Sequence, residues 1–213
     1  RDGVPYHEND SCHFDPNLSV QPGLFGQQGN DQTELEKGRV REGDLFIFFG
    51  WFQTYSKEKE SIDSHHIFGW LQIEEIIHGT EQIKTYCDDM HIHHPHASGA
   101  WKKNTLYVSS SDLNSSFGTL NGKGSGFFKT TDPKLILSEK MCSSRKSRWQ
   151  LPKEYFPPSQ QIFAVSNAKG PKKWMDPTNL IIDANGQWQE LILNSEKFPS
   201  IEKWAFDLIK DLS

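Results

Sequence analysis

Four of the nine histidines fall within six residues, at His91, His93, His94 and His96 of the segment HIHHPH. In an extended segment alternate side chains share a side, which puts His91 with His93 and His94 with His96. Two imidazoles on one side can ligate a zinc or iron ion, with a carboxylate such as Asp88 or Asp89 completing the shell. A neutral imidazole can equally act as a general base, and a protonated one can contact a phosphate. A polar loop whose histidines bond the backbone is the plainest alternative. His94 and His96 are therefore the catalytic candidates and the metal-ligand candidates. Glu190, in QWQELIL, offers a further carboxylate for acid–base work, or an anchor for the arginine of SRW. No nucleophile motif stands out: there is no GxSxG, and no serine or cysteine has an evident base partner.

A second set of side chains suits a flat ligand. Trp51, Phe52 and Trp70 sit beside strand glycines, and Trp101 lies just before a strand. A base gains about 1 to 3 kcal/mol by stacking on an aromatic face. Asp44, Gln27, Gln72 and Asn104 are suitable readers of its edge, because a carboxylate accepts from exocyclic amines and an amide both donates and accepts. Against this, a single Trp or Phe on a strand is more often core.

The charge balance seems at first to discourage a nucleic-acid partner. The chain has 213 residues with 23 Lys and Arg against 28 Asp and Glu, a net of −5. Resolved by segment, residues 1–100 carry 7 basic and 17 acidic side chains, 101–173 carry 13 and 4, and 174–213 carry 3 and 7. The acidic total thus hides a basic middle of +9. Within it Lys140, Arg145, Lys146, Arg148, Lys153, Lys172 and Lys173 cluster near Trp149 and Trp174, and basic groups interleaved with aromatics suit phosphates and bases. A solvated loop face is the bland reading.

These residues need a scaffold. Aromatic content of 12% argues for a folded, β-rich core despite 35% hydrophobic content. The longest apolar run, Leu45–Phe52, falls far short of the roughly 20 residues of a membrane-spanning helix. Three scattered cysteines indicate no disulfide framework, so a reducing, cytoplasmic compartment is expected. Residues 1–30 read as an irregular lead-in, and 31–37 as a short polar helix. Strands are expected at 45–52, 66–77, 105–110, 134–138, 161–166, 180–183 and 189–193, with DANG (183–186) turning the last two into a hairpin. The stretch 115–126 reads as a glycine- and serine-rich loop. The chain closes on an amphipathic helix, SIEKWAFDLIKDL, with Ser200 as N-cap behind Pro199. One α+β domain over 1–213, built around a small β-barrel, is the economical architecture.

At Phe25–Phe52 (FGQQGNDQTELEKGRVREGDLFIFFGWF) the sequence resembles the nucleotide modification associated domain family of the third type, found beside DNA-base hypermodification genes of phages and bacteria. The likeness continues through HIFGWLQIEEI, HPH (94–96), NTLYV (104–108), TDP (131–133) standing for FDP, SRWQLPKEYFP (147–157) and GQWQELIL (186–193). The family normally carries a segment rich in Ser, Arg and Gly ahead of Arg1. This chain opens without an initiator Met or an apolar leader, so an N-terminal piece is expected to be missing. A looser likeness, resting on the Gly-Asp turn and two strands, is to PUA-like domains (EVE, ASCH, YTH), whose small barrel receives a single base. Together the resemblances imply a bacterial or phage protein that recognises, and in a stronger form processes, a modified base in DNA or a modified nucleotide. The alternatives are a metal- or histidine-dependent enzyme acting on modified nucleotides, and a protein-interaction or defence module. Equal, salt-insensitive affinity for modified and plain DNA would argue against the first reading.

Overall fold

The computed structural model describes residues 15–54, 62–139, 147–157, 174–176, 180–183 and 191–213. In chain order they form β1 (Leu24–Gln27), α1 (Gly29–Lys37), β2 (Leu45–Thr54), β3 (Ile62–His78), α2 (Thr80–Asp89), β4 (Thr105–Ser109), β5 (Asp112–Ser115), β6 (Gly118–Lys123), β7 (Ser125–Phe127), β8 (Arg148–Gln150), β9 (Trp174–Asp176), β10 (Ile181–Asp183) and α3 (Pro199–Leu212). Short 3-10 turns lie at Pro95–Ala97 and Pro133–Leu135.

The long β3 is the spine. It runs antiparallel to β2 along one flank, and to β7 and then β4 along the other, with β1 beyond β4. The run LFIFFGWF is apolar without alternation because β2 has apolar neighbours on both faces. Leu45, Ile47 and Phe49 pack towards Ile67, Trp149 and the buried face of α3, while Phe46 and Phe48 pack with Phe25, Tyr107 and Leu71. The register slips between Phe48 and Phe49, so that Gly69 and Ile67 become successive partners and Phe68 is the extra residue. Gly69 itself admits a close backbone: a Cβ there would lie 2.8 Å from the Gly126 carbonyl oxygen of β7.

The α+β class holds, but among the described residues the sheets stay open and none closes into a barrel. β8, β10 and β9 form a separate three-stranded sheet, and β5 with β6 a hairpin. That hairpin occupies most of the stretch expected to be a loop. The segment 134–138, expected as a strand, makes a 3-10 turn and two isolated bridges, His66 to Ile136 and Ser138 to Trp149. The expected strands at 161–166 and at the start of 189–193, and the DANG turn, lie outside the described residues. α3 buries Ile201, Trp204, Ala205, Leu208 and Ile209 as the periodicity requires, and adds Phe206 against Trp70. Its N-cap is Phe198, not Ser200. With Pro199 opening the helix, the Ser200 hydroxyl instead donates to the Tyr155 carbonyl at 2.5 Å. α2 has too few apolar positions to announce itself, and it begins after Gly79 with no side-chain cap. Only Ile83 and Cys87 are fully buried, against Leu106 and Val108 of β4. Among the described residues, no helix is long and apolar enough to cross a membrane.

One stabilising contact has a pH signature. The buried Tyr107 hydroxyl donates to Gln32 of α1 at 2.9 Å, and burial pushes it up to about 12. A tyrosine in the unfolded chain titrates near 10, so the folded state holds its proton longer. That stabilisation is complete below about pH 10 and is lost as pH rises towards about 12, a change of roughly 2 to 3 kcal/mol. Calorimetry of Tyr107→Phe is expected to show a flatter Tm across this alkaline window, with a cost of about 1 kcal/mol at neutral pH for the lost hydrogen bond.

Candidate functional site

After α2 the chain turns at His91, whose φ is 55°, and the 3-10 turn at Pro95–Ala97 brings His94 and His96 under the sheet beside β1. Both are buried, at 6% and 5% exposure, while His91 and His93 face solvent. On the far side of β1, Asn17 pairs with Leu24 through two backbone hydrogen bonds. This lays Asp15 beside Gly26, whose N–H donates to Asp15 Oδ1 at 2.9 Å.

The result is a buried carboxylate between two buried imidazoles. His94 Nε2 lies 3.6 Å from Asp15 Oδ1, and His96 Nε2 lies 3.4 Å from Asp15 Oδ2. The Asp15 side chain is only 6% exposed. His94 Nε2 has no hydrogen-bond partner within normal reach. Leaving a buried polar atom unsatisfied costs about 1 to 3 kcal/mol.

Three further residues hold His96. Its Nδ1 lies 2.5 Å from Asn104 Oδ1, and the Asn104 amide donates to Thr80 Oγ1 at 2.9 Å and to the His96 carbonyl at 2.8 Å. Trp101 stacks on the imidazole with centroids 5.6 Å apart and an interplanar angle of 19°. The indole remains 38% exposed, and its N–H donates to the Ser98 carbonyl.

Several candidates are brought together here and others are not. His94, His96, Trp101 and Asn104 converge, but Asn104 spends its amide on His96 and Thr80 and does not present it to a ligand. Gln27 is half-buried at the end of β1, where its side-chain oxygen accepts from the Gln28 N–H at 3.1 Å. Trp51 and Phe52 are exposed, at 60% and 47%, on the opposite edge strand β2. Trp70 is core, 4% exposed, with its indole N–H on the Lys123 carbonyl. Gln72 is spent on backbone, donating to the Gly43 and Asn114 carbonyls and accepting from the Asn114 N–H. Asp44 caps its own turn by accepting from the Arg41 N–H, and partial desolvation there pushes its carboxyl up against the pull of that bond. Trp149, expected as a stacking surface in the basic stretch, is buried and donates to His65 Nδ1 at 2.8 Å.

Of the basic candidates, Arg148 pairs with Glu139 at 2.7 Å and Lys153 is exposed. Lys140, Arg145, Lys146, Lys172, Lys173 and the acid candidate Glu190 lie outside the described residues. Asp88 and Asp89 are exposed on α2, and the carboxylate beside the histidines is Asp15. Among the described residues no group of three His, Cys, Asp or Glu side chains is placed to hold a metal ion. Each imidazole lies nearest its own oxygen of Asp15, at a separation longer than an ordinary hydrogen bond.

The family model for nucleotide modification associated domain 3 matches residues 2–194. No curated protein and no solved structure matches the chain.

Proposed function

The chain belongs to the nucleotide modification associated domain 3 family, and from that premise we propose that it docks a nucleotide, free or within DNA, on Trp101 and performs a proton-transfer step on it with Asp15, His94 and His96. The observation that carries this reading is the buried carboxylate held between two imidazoles beneath an exposed indole. Ordinary packing gives no reason to bury such a group with His94 Nε2 unsatisfied. A site that passes a proton to or from a substrate does. Trp101 stands in the exposed stretch 98–103, so the indole can shift from the His96 ring without disturbing the sheet. A base stacked on the indole is then held beside the cluster.

The basic middle of the chain supports a polyanionic substrate, although Lys103, Lys134 and Arg148 are already paired with Glu36, Asp211 and Glu139. The test is direct. Trp101→Ala is expected to weaken binding of modified nucleotides or of hypermodified phage DNA by about 5- to 150-fold, the equivalent of one base stack of about 1 to 3 kcal/mol. Incubated in heavy water with the wild-type chain, the same substrates are expected to take up carbon-bound deuterium, read as a gain in mass. Undiminished binding by the Trp101 variant, together with no mass change on any nucleic acid, overturns the proposal.

A further inference from the structure

We infer that Asn104 is a positioning residue that makes the two histidines of the cluster unlike, with His96 the proton acceptor and His94 the proton donor. The inference rests on the proposed acid–base reading of the site and deepens it. It follows from which atoms can donate.

The His96 backbone carbonyl can only accept, and it lies 2.8 Å from the Asn104 side-chain nitrogen. This fixes which way the amide points: its NH2 faces the His96 carbonyl and Thr80 Oγ1, and its oxygen faces His96 Nδ1. An amide oxygen has no proton to give, so His96 must carry its proton on Nδ1. In the neutral ring that leaves the lone pair on Nε2, directed at Asp15 Oδ2 from 3.4 Å.

His94 is constrained the other way. The backbone N–H of His96 points at His94 Nδ1 from 3.3 Å, so that nitrogen is the acceptor. The neutral His94 ring then carries its proton on Nε2, facing Asp15 Oδ1. Asp15 Oδ1 thus has two donors aimed at it, Gly26 N–H and His94 Nε2–H, while Oδ2 faces a lone pair. A proton taken up by His96 Nε2 is then held between that nitrogen and Asp15 Oδ2. Thr80, the first residue of α2, and β1 are the rigid elements that hold this order in place.

Long-range nitrogen–proton correlation spectra of the imidazoles in the full 213-residue chain, without substrate, read the tautomers directly. The expected result is His96 protonated on Nδ1 and His94 on Nε2. Asn104→Leu is expected to move His96 towards the Nε2–H form and leave His94 unchanged. Asn104→Asp, which restores an acceptor oxygen, is expected to bring Nδ1–H back. Thr80→Val removes one of the amide's two acceptors and is expected to give a partial shift, which keeps the question answerable if the leucine variant fails to fold. The inference is overturned if wild-type His96 is the Nε2–H form, or if neither Asn104→Leu nor Thr80→Val moves it. Because no turnover is measured, correct tautomers in a chain that alters no nucleotide would sink the proposed activity and leave the positioning role standing.

Discussion

Replacing Asp15 by Asn is expected to lower turnover of a nucleotide substrate by about 10²- to 10⁴-fold, the range that a positioned acid–base group supplies, while leaving thermal stability within about 1 kcal/mol of wild type. The asymmetry comes from the hydrogen bonds around the carboxylate. Gly26 N–H lies 2.9 Å from Oδ1, and His94 Nε2 addresses that same oxygen. An asparagine therefore settles with its carbonyl at the Oδ1 position. Its NH2 then takes the Oδ2 position and donates into the His96 lone pair, 3.4 Å from the present oxygen. Gly26 N–H keeps its acceptor, the new NH2 finds one on His96, and His94 Nε2 stands as it does in the wild type, so the fold survives. The lone pair is now occupied and no carboxylate is left to receive the proton. Chemical denaturation and mass spectrometry of the product, run on the same preparation, separate the two effects. Full turnover in a folded Asp15→Asn chain would reduce Asp15 to a structural group.

Half of this site is legible in the sequence and half is not, for a physical reason. HPH is a local signal: alternation picks out His94 and His96 from His91 and His93, although a 3-10 turn at Pro95–Ala97, not an extended segment, is what buries the pair. Asn104 and Trp101 are visible as polar and aromatic residues beside a strand, but their tasks depend on tertiary neighbours. Asn104 reads as an edge reader until Thr80, 24 residues away, is found to bind the other side of its amide. Asp15 is hidden further. Its partners lie on a turn some 80 residues later, and it sits in a segment without periodicity. The Asp-Pro step sought at Thr131–Pro133 has only a local use, since Asp132 accepts from the Lys134 N–H and caps a 3-10 turn. The same step in HFDP, at Asp15 and Pro16, carries the carboxylate of the site.

The fold divides in a similar way. β2, β3, β4 and α3 are strongly patterned and lie close to where hydrophobicity places them. The hairpin of β5 and β6 looks like a loop because it is rich in glycine and serine, with Leu113 a fully buried anchor against Trp70 among the side chains described. The barrel expectation, not met among the described residues, turns on a tertiary question. Two strands and a glycine bulge describe curvature, but they do not say whether the outermost strands meet.

Gly26→Ala carries the second large effect, and here both stability and chemistry are expected to fall. A Cβ at this position would lie 2.3 Å from His96 Cδ2 and 2.6 Å from its Cγ, with the ring already stacked against Trp101 and tied to Asn104. The imidazole cannot retreat without breaking one of those contacts, and β1 cannot retreat without breaking its ladder with β4. Overpacking of this kind costs about 1 to 3 kcal/mol. A displacement of about 1 Å at a catalytic base can cost about 10²-fold in rate. The backbone gives no reason for the loss: φ at Gly26 is not positive, and at such positions Gly→Ala ordinarily stabilises by about 0.4 to 1 kcal/mol. Gly122→Ala in β6 is the matched control, since a Cβ there meets nothing nearer than Leu113 at 4.0 Å. If the two variants show equal Tm and equal turnover, the close approach of β1 to His96 is not what holds the imidazole in place.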